Sequence, residues 1–356
     1  MLPEGVPVWL MMRISGDREG AIVALRRVLE GLVPRCMVSH LRSIATKRRL
    51  AVFWRIPHLG SSLRTPMHPE KPGHADIDAW GLTHPGKIRE DNQDHFFLGS
   101  LARGVIIDRT SLGENLDPDV PQERLASFAM VADGVASGGG GEEASRVAVW
   151  ALVKAVARSF HEVYDIEEDD PDAFAHLLQD AVLDAHKNLV RRSEQDADGS
   201  RFATTLTLFL GLWPHAYLLQ VGDSRCYMFH EGELTQITRD QTVAQDLIDE
   251  GVLTQTRAHS TRWAHILSSA IGGHQAAPVV TRLTRDWGTV VLLCSDGLTK
   301  HVPDERIKER MLELKSSRQL CEDLLQDALD DGGSDNISLV VGRTLKHAAS
   351  NLKESR

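Results

Sequence analysis

The stretch Phe128-Ala-Met-Val-Ala-Asp-Gly-Val-Ala-Ser-Gly138 joins a short apolar run, one aspartate and the start of a glycine loop. Short apolar runs bounded by Asp and Gly are typical of buried strands. This pattern therefore predicts that Asp133 stands at a strand end, where the chain turns into a loop. Glycines in such a loop allow the backbone to come close to an ion or a ligand.

Three further aspartates stand at the boundary between an apolar run and a polar turn. If the runs are strands of one rigid scaffold, carboxylates that are distant in the sequence can converge. Like charges at close range raise one another's pKa values, and divalent cations remove that penalty. The pattern therefore predicts a metal site. The three positions are Asp94 before His95-Phe-Phe-Leu98, Asp296 after Thr289–Cys294, and Asp335 before Ile337–Val341.

The order of predicted elements indicates an α+β layered domain with paired strands rather than a parallel α/β sheet. Apolar periodicity predicts two long helices over 146–164 and 171–191 and two shorter ones over 304–314 and 318–329. The turn Glu231-Gly-Glu233 separates two strand-like runs and predicts a hairpin.

Composition places the chain among ordinary globular proteins, with 356 residues, 42% hydrophobic and 25% charged. The net charge of -10 argues against a nucleic-acid partner, which normally meets a basic surface. A transmembrane segment is also not expected, because a span needs about twenty apolar residues. The cysteines form no CxxC pair, so reduced thiols and a cytoplasmic location are expected. They are Cys36, Cys226, Cys294 and Cys321.

Charge divides the chain into a basic N-terminal part and an acidic remainder. Residues 1–73 carry a balance of +7 and the remainder one of -17. We interpret 1–73 as a basic N-terminal extension, 74–345 as the main domain and 346–356 as a short tail. The extension has three interpretations: a solvated segment, a weak partner or membrane-surface segment, or residues upstream of a true start at Met67.

Two other ligand-binding motifs are excluded by their spacing. No Lys-Ser/Thr pair follows the glycines near Gly138, and Glu143 stands where a GxGxxG motif needs its last glycine, so a nucleotide cradle is not expected. A calcium loop beginning at Asp196 would need glutamate at its twelfth position, where the chain has Thr207.

Taken together, the motifs resemble the metal-dependent type 2C (PPM) protein phosphatases, specifically the bacterial serine/threonine branch. The resemblance covers about residues 76–343. It implies a central antiparallel β-sandwich with α-helices on both faces. The matching motifs are Arg89 to Asp94 in the frame R-x-x-N-Q-D, Asp133-Gly134, Gly141-Glu142-x-Ala144-Ser145, Ala203-Thr-Thr-Leu206, Val221-Gly-Asp-Ser-Arg225, Asp240 to Gly251, Ser295-Asp-Gly297 and Ser334-Asp-Asn-Ile337.

The resemblance also implies a catalytic site with two Mn²⁺ or Mg²⁺ ions. Asp133 would bridge both ions, and the Gly134 carbonyl would bind one of them. A water held by the metals would attack the phosphorus of phosphoserine or phosphothreonine without a phosphoenzyme. Substrates would be proteins phosphorylated by a Ser/Thr kinase. The second ion's ligands would be Asp94, Asp296 and Asp335, and Arg89 would hold the substrate phosphate, for which a guanidinium is well shaped.

Several details of the site remain open at the level of sequence. A weaker third ion would need an acid near Ser200, where the chain offers only Asp196 and Asp198 slightly upstream. Asp223 matches the family but is interpreted as a structural turn residue outside the site.

The general acid is also undetermined. Some members have a histidine where this chain has Val135 or Gly138, so protonation of the leaving group is expected from metal-bound water. His84 and His95 are nearby in the sequence but are interpreted as surface or strand residues. The segment Gln241–Ala270 matches a flap that borders the active site.

Two alternative functions are a non-catalytic regulator on the same fold and a regulatory phosphatase of a partner-switching circuit. Loss of metal aspartates would indicate the first, and all four aspartates are present.

Overall fold

The computed structural model describes residues 72, 76–101, 105–110, 125–135, 140–164, 172–196, 201–258, 261 and 263–345. All of them belong to the unit Met67–Arg356. The extension predicted for 1–73 lies outside the described residues, apart from residue 72. The predicted tail 346–356 and the residues Asp198 and Ser200 also lie outside them.

One antiparallel sheet contains five strands in the order β1-β11-β10-β7-β8. Its outer strand β8 is joined to β7 by the predicted hairpin, in which Glu231 and Gly232 have φ of 50° and 83°. Two successive residues with positive φ give the twist that a two-residue hairpin needs. The strands are β1 Ile77–His84, β7 Arg225–His230, β8 Glu233–Gln236, β10 Val290–Cys294 and β11 Ile337–Thr344.

A second antiparallel sheet contains six strands in the order β3-β2-β4-β5-β6-β9. Two of its strands, β2 and β5, are buried along their whole length, because both faces of the sheet are covered. The strands are β2 His95–Leu101, β3 Val105–Thr110, β4 Ala126–Ala132, β5 Leu206–Leu212, β6 His215–Val221 and β9 Val279–Thr284.

The described helices follow the predicted order with shifted ends. The second begins at Ala173 after Asp172, rather than at Pro171, and continues to Gln195. The Ser316 hydroxyl accepts a hydrogen bond from the Gln319 N–H at 3.1 Å and so caps the last helix. No described helix is long and apolar enough to cross a membrane. The helices are α1 Gly140–Tyr164, α2 Ala173–Gln195, α3 Val243–Asp249, α4 Gln255–Ala258, α5 Asp296–Thr299, α6 Asp304–Leu312 and α7 Ser317–Asp330.

Three apolar clusters arrange these elements as layers. Helices α1 and α2 pack on the six-stranded sheet, where Leu152 and Phe174 join Leu208 in one cluster. Helices α6 and α7 pack on the five-stranded sheet through a second cluster. Val131 and Leu293, from different sheets, belong to the third cluster, which lies between the sheets. The order helix, sheet, sheet, helix confirms the predicted α+β sandwich.

Strand register explains why distant aspartates reach the same end of the sandwich. In the six-stranded sheet, His95 pairs with Ala132, so the residue before β2 and the residue after β4 are neighbours. In the five-stranded sheet, Cys294 pairs with Leu339, which brings the end of β10 near the start of β11. Asp94 and Asp133 are therefore adjacent on one sheet, as are Asp296 and Asp335 on the other.

Replacement of Leu208 by Ala should destabilise the domain strongly, because Leu208 is fully buried between α1, α2 and the sheet. We expect a loss of about 2–5 kcal/mol in the free energy of unfolding, measured by urea denaturation. Leu312 is 63% exposed, and Leu312→Ala should change the free energy by less than about 0.5 kcal/mol. Equal losses in both variants would contradict this assignment of the core.

Candidate metal centre

Asp94 is the most deeply buried of the predicted site residues, with 2% of its surface exposed. Neither of its carboxylate oxygens has a hydrogen-bond partner in the part of the chain that the structure describes. The pKa of Asp94 is raised to about 7, mainly by burial, and the charges of Asp296 and Asp335 contribute to this rise. The nearby hydroxyls of Ser295 and Ser338 lower this pKa, but by less than burial raises it. Among the described residues, no cation offsets the charge of Asp94.

Asp133 lies beside Asp94. Its backbone is held by the Ala203-Thr-Thr-Leu206 motif, which leads into β5. The Thr205 N–H and the Thr204 hydroxyl donate to the Asp133 carbonyl at 2.9 and 2.8 Å. These bonds use the carbonyl of Asp133 and not the carbonyl of Gly134. The resemblance to the type 2C phosphatases assigns the Gly134 carbonyl to a metal. Burial raises the pKa of the Asp133 carboxyl well above its usual value, and the negative charges of neighbouring aspartates add to the effect.

Three glycines allow the turns of the site to touch. A Cβ on Gly134 would lie 2.7 Å from the Gln93 carbonyl oxygen, and one on Gly141 would collide with the Gln93 side-chain amide. The start of α1 therefore packs directly against the Asp133 turn. A Cβ on Gly297 would collide with the Asn336 carbonyl, so the turn that carries Asp296 is pressed against the turn that carries Asp335.

The side chain of Asn336 fastens the loop that carries Arg89. Its Oδ1 accepts from the Gln93 N–H at 2.9 Å, and its Nδ2 donates to the carbonyls of Pro85 and Asp91, both at 2.9 Å. The loop before β2 and the turn before β11 therefore form one unit. This arrangement places Arg89 beside Asp335.

Two of the predicted metal ligands are paired with cations of the chain itself. The Arg89 Nε lies 2.8 Å from Asp335 Oδ1. The Lys300 Nζ lies 2.7 Å from Asp296 Oδ2 and 2.7 Å from Asp335 Oδ2. Burial alone would raise the pKa of Asp335, but the hydrogen bonds and charges of Lys300 and Arg89 hold it below the usual value. Lys300 was not among the predicted site residues, although its position four residues after Asp296 puts both side chains on one helical face.

The structure brings all four predicted aspartates to one end of the sandwich, where the charges of neighbouring aspartates raise the pKa values of Asp94 and Asp133. Within the described residues, however, no three His, Cys, Asp or Glu side chains are already arranged to hold a metal ion. The proposed ligand set of Asp94, Asp133, Gly134, Asp296 and Asp335 therefore stays a prediction.

The chemistry of the free donor atoms fits hard divalent cations. Both Asp94 oxygens and Asp296 Oδ1 are buried, and no described residue forms a hydrogen bond with them. Buried carboxylate oxygens without donors are rare because they are costly unless a cation satisfies them. Oxygen ligands without His or Cys suit Mg²⁺ and Mn²⁺ rather than Zn²⁺.

Asp223 belongs to the same acidic group, although the sequence analysis placed it outside the site. It is 9% exposed, and burial raises its pKa to about 8, with the charge of Asp296 adding to the shift. Asp223 and Asp296 line one open groove, whose volume is about 1020 Å³. Arg89, Lys300 and Asp335 line the same groove.

The histidines near the site in the sequence have structural contacts. The ring of His95 is buried, and its Nδ1 lies 3.0 Å from the Ser145 hydroxyl. Burial, and then the charge of Arg146, lowers the pKa of His95 to about 4, so the ring is neutral at physiological pH. The His84 Nδ1 accepts from the Gly86 N–H at 2.9 Å. These contacts agree with the interpretation of both as structural residues.

His301, which sequence reasoning missed, supports the turn that carries Asp335. Its Nε2 accepts from the Ser334 N–H at 2.9 Å. Its Nδ1 therefore carries the proton and donates to the Asp331 carboxylate at 3.0 Å. The side chain of His301 is 9% exposed, whereas that of its partner Asp331 is 63% exposed.

Replacement of Asp94 by Asn should stabilise the metal-free protein at neutral pH. The pKa of Asp94 is about 7 in the folded state, above the ordinary value of 3.8. Folding of the wild type is therefore increasingly penalised as the pH rises from about 4 to about 7, whereas Asn has no charge to bury. The stability gap between variant and wild type should widen by on the order of 1–3 kcal/mol between pH 4.5 and 7.5.

Urea unfolding in EDTA at the two pH values measures this gap. Asp184 is exposed on α2, and Asp184→Asn should give the same difference from wild type at both pH values. A pH-independent gap for Asp94→Asn would refute the assignment of Asp94 as an uncompensated buried acid.

Comparison with known proteins identifies the family. The sequence profile described as "Protein phosphatase 2C" matches residues 120–336. The serine/threonine protein phosphatase PstP of Mycobacterium tuberculosis is 35% identical over 208 residues, which are 58% of this chain and 39% of PstP. The matched stretch thus spans well under half of that relative. The serine/threonine phosphatase stp of Listeria innocua is 28% identical over 74% of this chain and 94% of its own length.

A solved structure agrees with these matches. The catalytic domain of PstP in complex with two manganese ions is 28% identical, with a TM-score of 0.55 over 76% of this chain and 99% of that one. Its fold is the sandwich described above, and the profile match covers more than half of this chain. The protein therefore belongs to the protein phosphatase 2C family.

Proposed function

We propose that this protein is a metal-dependent protein serine/threonine phosphatase that hydrolyses phosphoserine and phosphothreonine in proteins. The main support for the proposal is the buried Asp94 carboxylate. Its two oxygens have no hydrogen-bond donor among the described residues, and it lies close to Asp133, Asp296 and Asp335. Membership of the protein phosphatase 2C family supports it, as does the similarity to PstP, a serine/threonine protein phosphatase. No observation favours the non-catalytic or partner-switching alternatives.

The ligands would come from both sheets. Asp94, Asp133 and the Gly134 carbonyl would contribute from the six-stranded sheet, and Asp296 and Asp335 from the five-stranded one. Two Mn²⁺ or Mg²⁺ ions, when bound, would activate water for attack on phosphorus and neutralise the phosphate charge. The PstP domain that binds two manganese ions supports this assignment.

Arg89 would bind the substrate phosphate. Its side chain is 56% exposed at the groove, and its loop is fixed by Asn336. The guanidinium uses its Nε to contact Asp335, and its remaining N–H groups can donate to a phosphate in a forked arrangement. The groove is open, which suits a phosphorylated segment of a protein better than a small molecule held in a closed pocket.

The proposed partners are targets of a Ser/Thr kinase, and the proposed location is the cytoplasm. The three described cysteines, Cys226, Cys294 and Cys321, are buried and free. Free thiols are the usual state of cysteine in the reducing cytoplasm.

Replacement of Asp133 by Asn should lower kcat/KM for phosphopeptide hydrolysis with Mn²⁺ by about a thousandfold or more, because the charge that would bridge two cations is lost. Release of phosphate from a phosphothreonine peptide measures the rate, and EDTA should abolish it in the wild type. The exposed Asp184→Asn should retain wild-type activity. Wild-type rates in Asp133→Asn, or in EDTA, would exclude the proposed mechanism.

Replacement of Arg89 by Ala should reduce kcat/KM by about ten- to a hundredfold, because a charge-assisted phosphate contact is lost. Arg318 is similarly exposed at 61% but pairs with Glu322 on α7. Arg318→Ala is the matched control and should leave kcat/KM unchanged. If both variants behaved alike, Arg89 would have no specific role at the phosphate.

A further inference from the structure

The ammonium group of Lys300 occupies a point between two proposed metal ligands. It lies 2.7 Å from Asp296 Oδ2 and 2.7 Å from Asp335 Oδ2. These carboxylates come from different turns, and no other described lysine contacts either of them. Asp296 has its second oxygen buried and unpartnered.

The position of Lys300 is set by the backbone. The Lys300 N–H donates to the Asp296 carbonyl at 2.9 Å as the last turn of the short helix α5 closes. This turn directs the side chain of Lys300 back along the helix toward Asp296. The contact of Gly297 with Asn336 holds the Asp335 turn within reach of the same ammonium group.

We propose that Lys300 is a resident cation of the metal centre, which a divalent ion shared by Asp296 and Asp335 must displace. The inference rests on the proposed function, because it concerns the affinity of that same site for metal. A single positive charge at hydrogen-bond distance from both carboxylates compensates them in the metal-free protein. A doubly charged ion cannot share this point with an ammonium group, because like charges repel strongly at such distances.

Lys300 therefore has two opposing effects. It stabilises the metal-free fold, since without it Asp296 and Asp335 would repel each other and Asp94. It also weakens metal binding, since its ion pairs must be broken first. The displaced side chain has room to move, because Lys300 lines the open groove and remains 23% exposed.

The test is titration of the EDTA-stripped full-length protein with Mn²⁺ by isothermal titration calorimetry. Lys300→Met removes the charge but keeps the length of the side chain, and we expect it to bind Mn²⁺ about tenfold more tightly. Lys300→Arg keeps a cation and should stay closer to the wild type than Lys300→Met does. Thermal unfolding should show a lower Tm for metal-free Lys300→Met and a larger rise on addition of Mn²⁺.

Lys308 provides a control with the same change in net charge. It pairs with Glu233 at 3.0 Å on the surface, and Lys308→Met should bind Mn²⁺ with wild-type affinity. Binding by Lys300→Met that equals the wild type, is weaker, or is matched by Lys308→Met would overturn the inference. If Lys300→Met does not fold, Lys300→Gln is titrated under the same criteria.

The measurement of Mn²⁺ binding and the assay of phosphopeptide hydrolysis can give opposite results. Tighter Mn²⁺ binding by Lys300→Met in a protein that does not hydrolyse phosphopeptides would refute only the proposed function. Unchanged Mn²⁺ binding in an active phosphatase would refute only the role of Lys300.

Discussion

Repulsion among carboxylates at one end of the sandwich is the constraint on which the site depends. Asp94, Asp133 and Asp223 all have raised pKa values, with burial as the main cause and neighbouring aspartates as the next. Buried acids without partners destabilise a fold, so their retention needs a compensating cation. The proposed divalent ions would supply that charge, and they would use the same charge to activate water.

The scaffold that imposes this crowding is rigid. Each pair of aspartates is set by the register of two antiparallel strands, and the two pairs are joined by stacking of the sheets over a shared apolar core. Glycine contacts at Gly134 and Gly297 leave no space between the turns for a side chain. The carboxylates therefore cannot separate to relieve their repulsion without disturbing the strands that carry them.

Asp335 contacts the positive side chains of the site and also acts on the buried Asp94. Arg89 and Lys300 contact its two oxygens, while the neighbouring residues Ser334 and Asn336 are held by His301 and by the loop before β2. A change in the charge state around Asp335 therefore reaches both the proposed phosphate-binding arginine and the proposed metal ligands.

The sequence by itself predicted the strands next to the four aspartates, the hairpin and the longer helices, because apolar runs that end in Asp and Gly have few other structural interpretations. It also placed four aspartates at strand ends. Local pattern could not show that Asp223 is buried close to Asp133 and Asp296, because a turn carboxylate looks the same in sequence whether its neighbours are water or other acids. It also missed Lys300 and His301, which gain their roles only from contacts with Asp335 and Ser334, more than thirty residues away. Tertiary structure alone decided these pairings, since ion pairs and pKa shifts depend on distances through space and on burial, neither of which the linear order contains.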